Sequence, residues 1–247
     1  PHFGPDMDRE HLPANWSSTG NAIEGVAFSA KDTILTVDDF CPGGTIYDQQ
    51  RQHREADRLL RAQGNAAGRQ RMRSDSSLRP TKYPRGLIVA TGEDVPRGHS
   101  LRARLLVIEV GPDEVEWSRL TDCQQAARNG TYATVMFAHV QWLARNYEHE
   151  VAPIRNRVAE TRDRLGSIGG HKRTPMIAAH LLVGVDSFLR FAIEVGAVSV
   201  DEAADLHATF RANILEAAKQ QDRHQLAGEP TRRFLEVLES AITAGRV

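Results

Sequence analysis

The chain has 247 residues, 40% of them hydrophobic and 26% charged, with a formal net charge of -1. That length can bury a sizeable core in one or two domains, and the balanced charge carries no global polyanion-binding signature while leaving room for a local basic patch. Cys41 and Cys123 lie far apart with no CxxC spacing, which argues against a disulfide framework or a cysteine zinc site and fits a reducing cytoplasm.

No apolar run approaches the length needed to cross a bilayer and no signal peptide heads the sequence, so no membrane association is expected. The opening Pro1-His2-Phe3-Gly4-Pro5 reads as the continuation of a longer polypeptide. Ser17-Ser18-Thr19-Gly20 offers cap residues for a helix over 21–30, with Glu24 placed to support its N-terminus. Ile34 to Val37, within TILTVDDF, is a near-continuous apolar run that predicts a strand covered on both faces, as in parallel sheets. A charged helix follows over 47–62 and ends near Gly64-Asn65. The Arg-, Ser- and Gly-rich segment 64–85 predicts a functional or mobile loop. GLIVAT (86–91) and LLVIEV (105–110) predict two further strands, giving α/β architecture up to about residue 115.

After residue 115 the pattern is helical. Helices are predicted around 118–129, 131–165, 199–222 and 230–244, the third after a Ser199 cap with Glu202 in its first turn. Ile177, Leu181, Val185, Phe188, Ala192 and Val195 mark one face of another helix, which Gly196 ends. Trp16, Trp117 and Trp142 are read as packing residues. The chain is thus expected to comprise an α/β domain over 1–115 and an all-α domain over 116–247.

TILTVDDF and GLIVATGED, read as neighbouring strands, put polar residues at one C-terminal rim, where open α/β sheets bind ligands. In nucleoside-triphosphate hydrolases the first acid of such a pair holds Mg²⁺, the second orients the attacking water, and a polar residue on the next strand senses the γ-phosphate. Asp38, Asp39 and Thr91 are the matching candidates, with Glu93 and Asp94 adding negative charge. By itself a hydrophobic run ending Asp-Asp is also how an ordinary strand meets a turn. Arg69, Arg71 and Arg73, with Arg79, Lys82 and Arg85 nearby, supply the planar donor fork or point charge that suits phosphate; one could serve as an arginine finger and others could hold nucleic-acid backbone. In the helical half Lys172 and Arg173, in the loop SIGGHKRT, and Arg155, Arg157, Arg162 and Arg164 are the nucleic-acid candidates. Interleaved Glu160 and Asp163 fit a salt-bridged helix surface equally well.

The run WSSTGNAIEGVAFSAKDTILTVDDF, followed by RLLRAQGNAAGRQRMRSD and YPRGLIVATGED, resembles a family of P-loop ATPases: helicase-like proteins of actinobacterial mobile elements, often linked to primase-type replication modules. The resemblance implies a P-loop NTPase (AAA+/RecA-like) parallel sheet followed by a helical domain. It implies TILTVDDF as the Walker B strand, with Asp38 binding Mg²⁺ and Asp39 activating water, and GLIVATGED as the sensor strand, with Thr91 reporting nucleotide. Arg69, Arg71 and Arg73 fall in its basic loop. The family's cofactors are ATP and Mg²⁺, and DNA and further copies of the chain are the partners it implies.

One departure is large. No GxxxxGK[ST] occurs in these 247 residues, and CPGGT (41–45) and GSIGGHKRT (166–174) lack its spacing and setting. Without those backbone amides and that lysine the triphosphate has no cradle, so the isolated chain is expected to bind nucleotide poorly. Two other functions fit the same residues: a non-catalytic, degenerate ATPase domain for assembly or DNA contact, and a metal-dependent phosphodiesterase built on Asp38, Asp39 and Glu93.

Overall fold

The structure, a computed structural model, describes residues 2–4, 11–226 and 229–245. The chain forms two compact units, divided between Arg104 and Leu105. In the first, three parallel strands lie in the order β1 (Ala14–Asn15), β2 (Ile34–Phe40), β3 (Leu87–Gly92). Each crossover is a helix, α1 (Gly20–Ser29) and then α2 (Ile46–Gly64), and a short α3 (His99–Arg102) follows β3.

Both crossover helices start on satisfied caps. Thr19 Oγ1 accepts from the Ala22 N–H, and Thr45 with Asp48 makes a full capping box that the sequence reading did not foresee. Glu24 serves no cap; it holds two arginines, described below. The core joins Ile23 and Ala27 of α1, Leu35, Val37 and Phe40 of β2, Ala56, Leu59 and Leu60 of α2, and Leu101 of α3. Because α1 and α2 also pack on each other, both cover one face of the sheet. On the other face Ile34, Leu87 and Val89 fall together in the strand register and are exposed. The expectation of strands covered on both faces therefore fails: β3 is an edge strand whose outer side is unpaired among the described residues.

The expected strand LLVIEV does not form. Residues 105–110 belong to the second unit, where the buried Gln221 side chain takes the place of a neighbouring strand. Its Oε1 accepts from the Val107 N–H and its Nε2 donates to the Val107 carbonyl, each at 2.8 Å. One side chain thus satisfies both backbone groups of Val107, as a paired strand would.

That unit is otherwise helical: α4 (Trp117–Arg128), α5 (Thr131–Arg145), α6 (Tyr147–Glu150), α7 (Ile154–Leu165), α8 (Thr174–Glu194), α9 (Val200–Leu226) and α10 (Pro230–Thr243). The single helix expected over 131–165 is broken at Asn146 and again before Pro153, whose ring disfavours helical backbone in the preceding residue. Ser199 and Glu202 form the expected cap on α9. Gly196, at φ +72°, follows the end of α8, where its N–H bonds the Ile193 carbonyl.

Contrary to the sequence expectation, α8 is long and apolar enough to cross a bilayer by length and composition. It acts instead as a core helix, burying Ala178, Ala179, Leu182 and Val183, and it packs against α7 and α9. Trp142 is buried against Phe191 and Trp16 against Phe40, as packing residues should be, whereas Trp117 is 69% exposed.

Candidate functional site

Leu35 and Val37 are buried, so strict strand alternation would carry Asp39 into the core and Phe40 out of it. The structure avoids burying a carboxylate. The β2–β3 register shifts between Val37 and Phe40, and Asp39 takes a left-handed backbone at φ +63°. Aspartate tolerates that conformation better than most residues. The extra residue reverses the parity, so Phe40 becomes the core residue and Asp39 is exposed. Phe40 is held edge-on between Trp16 and His53, with ring centroids 5.4 Å away on each side. Opposite it, β3 closes tightly: a Cβ on Gly92 would lie 2.5 Å from the Phe40 carbonyl oxygen, so only glycine fits.

Asp38 sits at the rim this produces. Its carbonyl accepts from the Trp16 N–H at 3.0 Å, tying it to the end of β1. On the other side the Thr91 hydroxyl donates to Asp38 Oδ1, and Thr91 Oγ1 itself accepts from the Asp39 N–H at 3.1 Å. The three residues expected to share a rim, Asp38, Asp39 and Thr91, are thus linked directly. Asp38 is half-buried while Asp39 and Thr91 are exposed, so the carboxylates open to solvent. Glu93 belongs to the same edge: its N–H bonds the Phe40 carbonyl, and its Oε2 accepts from the Cys41 thiol at 3.3 Å. That hydrogen bond, together with the Glu93 charge, raises the Cys41 pKa, so the thiol stays protonated at neutral pH.

Sequence reasoning missed His53, which backs this edge from α2. It is 7% exposed; its Nδ1 accepts from the Arg97 N–H at 3.4 Å, and its Nε2 has no hydrogen-bond partner among the described residues, lying 3.9 Å from Asp94 Oδ2. Burial lowers its pKa, as does Arg97, so the ring is neutral at pH 7. Spacing with Ala56 and Leu60 on the buried side of α2 was the available signal.

The basic residues do not gather around the acids. Arg71 is fixed on the first turns of α1, with Nη2 2.8 Å from Asn21 Oδ1 and 2.6 Å from Glu24 Oε2. Glu24 holds Arg58 with its other oxygen at 2.8 Å. Arg69 and Arg73 are exposed, and among the described residues neither they nor Arg71 bonds to Asp38, Asp39 or Thr91. Lys82 and Arg85 lie at the opposite end of the sheet. Arg85 pairs with Asp32, which precedes β2, and Lys82 stands over Phe28 near the end of α1. Four strand steps, about 13 Å, separate Ile34 at that end from Asp38.

In the helical unit, Lys172 is exposed and Arg173 half-buried in the loop before α8. Arg157 pairs with Glu150 and Arg162 with Asp163, so these two follow the salt-bridged reading of that series.

Chemically, the rim offers one carboxylate oxygen of Asp38, the whole Asp39 carboxylate and a threonine hydroxyl. Mg²⁺ fits such a set, because it takes one or two protein carboxylates and keeps waters or substrate oxygens elsewhere. No group of three or more His, Cys, Asp or Glu among the described residues converges as a metal-binding set, so Asp38, Asp39 and Glu93 do not form the closed ligand cluster of the phosphodiesterase alternative. No family model, curated protein or solved structure matches this chain.

Proposed function

We propose that the first unit is the Walker B and sensor portion of an ATP-hydrolysing, helicase-like motor that moves or remodels DNA in the cytoplasm. The observation that carries this reading is the hydrogen-bonded unit Asp38–Thr91–Asp39 across two adjacent parallel strands at their C-terminal ends. Asp38 would hold Mg²⁺, which when bound neutralises charge on the β- and γ-phosphates. Asp39, exposed and without a side-chain partner among the described residues, would orient or deprotonate the attacking water. The Thr91 hydroxyl touches both acids' residues, so a change in phosphate occupancy at Asp38 is transmitted to the Asp39 backbone through one oxygen. Arg69 and Arg73 are the arginines open to a phosphate, including one on a neighbouring copy in a homo-oligomer; Arg71 would first have to leave Glu24.

The reading requires a phosphate cradle that these 247 residues do not contain. Support for an additional strand comes from the outer edge of β3, which is unpaired among the described residues. The test is ATP turnover by the full-length protein with Mg²⁺. Replacing Asp39 with Asn is expected to lower turnover at least about 100-fold, the usual loss of a positioned base. Turnover unchanged by that substitution removes Asp39 from its role, and DNA cleavage needing metal but no ATP would favour the phosphodiesterase.

A further inference from the structure

The segment between α2 and β3 contains a small, well-anchored hairpin. The Arg79 N–H donates to the Arg71 carbonyl and the Arg73 N–H to the Ser77 carbonyl, both at 2.8 Å. These bonds flank Met72 and Leu78, an antiparallel bridge of the kind without hydrogen bonds of its own, in which side chains approach most closely. Asp75 closes the turn by accepting from both the N–H and the hydroxyl of Ser77. The base is clamped by Arg71 on Asn21 and Glu24, and by Gly68, where a Cβ would collide with the Lys82 carbonyl.

Alternation along the hairpin places Arg71, Arg73 and Arg79 on one face and the Met72–Leu78 pair on the other. That apolar pair is uncovered: Met72 is 62% and Leu78 59% exposed. Arg69, Arg73 and Arg79 make no ion pair or side-chain hydrogen bond among the described residues, and Asp75, the only acid between 64 and 85, is engaged in the turn.

We infer that this hairpin binds single-stranded nucleic acid. The cations match phosphate oxygens, and the neighbouring apolar pair matches the open face of an unstacked base. In a duplex those faces are stacked inside, where a two-residue wedge reaches them only after unstacking. The inference rests on the nucleic-acid part of the reading above, not on hydrolysis, and is measured without nucleotide.

The experiment is fluorescence anisotropy of this chain with a labelled oligonucleotide of about 15 nucleotides, single-stranded or as a blunt duplex, over a range of salt. The single strand is expected to bind more tightly. The Arg73→Ala/Arg79→Ala pair should reduce the slope of log affinity against log salt by about 1.4, at about 0.7 per lost phosphate contact; Arg73→Lys/Arg79→Lys should retain the slope. Met72→Ser/Leu78→Ser should weaken single-strand binding about tenfold and leave the slope unchanged. No binding, duplex binding as tight as single-strand binding, or full affinity in the Met72/Leu78 variant each overturns the proposal. Tight single-strand binding alongside turnover indifferent to Asp39→Asn would leave the hairpin standing and remove the ATPase reading alone.

Discussion

Two carboxylate environments distinguish the two units. Glu150, in the helical unit, has a side chain only 8% exposed and no oxygen to spare. Arg157 donates to it at 2.9 Å, Arg190 donates through Nη2 at 2.6 Å and Nε at 3.0 Å, and Ser187 adds a contact at 3.4 Å. Burial alone would raise its pKa, but the hydrogen bonds from Arg190 and Arg157 outweigh that and hold the carboxyl below the usual range. At the sheet rim, Asp38 has one threonine hydroxyl and Asp39 has no side-chain partner among the described residues. A saturated carboxylate fastens helices together. An unsaturated one, held by backbone and a hydroxyl at a strand end, keeps its lone pairs for something else.

The strongest way to break the comparison is Glu150→Ala. It leaves Arg157 and Arg190 facing each other without their counter-charge. Removing one member of a buried pair costs about 3–5 kcal/mol, and partial exposure of both arginines puts the expectation at about 3 kcal/mol. Urea unfolding followed at Trp142 measures it; a loss under about 1 kcal/mol would show that Glu150 is no more structural than the rim acids. Gln221→Leu keeps the size of a buried side chain but orphans the Val107 N–H and carbonyl, for an expected loss of about 2 kcal/mol in the same assay.

On the rim the matching change is Thr91→Val, which removes the donor to Asp38 and the acceptor for the Asp39 N–H. Solvent can replace both bonds at this exposed edge, so the expected stability loss is only about 0.5–1 kcal/mol. The sharper readout is amide hydrogen exchange, in which Asp39 should lose protection while Leu35 and Val37 keep theirs. Retained protection at Asp39 would mean that Thr91 does not organise the acids.

Much of this site was legible in sequence because it depends on local signals. Apolar runs marked β2 and β3, and parallel neighbours with matching ends bring Asp38, Asp39 and Thr91 together without detailed packing. Helices α1, α2, α8, α9 and α10 were legible for a similar reason: periodicity and caps are written within a few residues. What was illegible depends on distant partners. β1 has two residues and exists only through its pairing with Val37 and Asp38. LLVIEV has strand composition, yet Gln221, more than a hundred residues later, takes both backbone groups of Val107 at its centre. The parity reversal at Asp39 follows from Phe40 lodging between Trp16 and His53. The fixed position of Arg71 depends on Asn21 and Glu24, about fifty residues earlier.

The smallest expected effect concerns pH, and it treats the two units separately. His53 in the first and His139 in the second have lowered pKa values, in each case chiefly from burial. Around His53, Arg97 and Arg102 lower the value further while Asp94 opposes them; around His139, Glu150 opposes burial. His139 stacks on Trp142 and packs against Phe188 and Phe191, and its buried Nε2 has no hydrogen-bond partner among the described residues. Between the lowered folded value and the ordinary value of 6.5, the unfolded chain binds more protons, so stability falls as pH drops through that window. Glu150 adds a second loss at lower pH, beginning below its ordinary 4.5 and continuing through its lowered folded value. His139→Phe keeps the aromatic packing and removes its titration, so it should reduce the first acid loss of the helical unit, to which His2, also lowered chiefly by burial, still contributes, while leaving that of the sheet unit. Stability measured by urea unfolding at pH 7.5 and 5.5 (values on either side of about 6.5) tests this: an unchanged pH dependence in His139→Phe would show that the helical unit's acid sensitivity arises elsewhere.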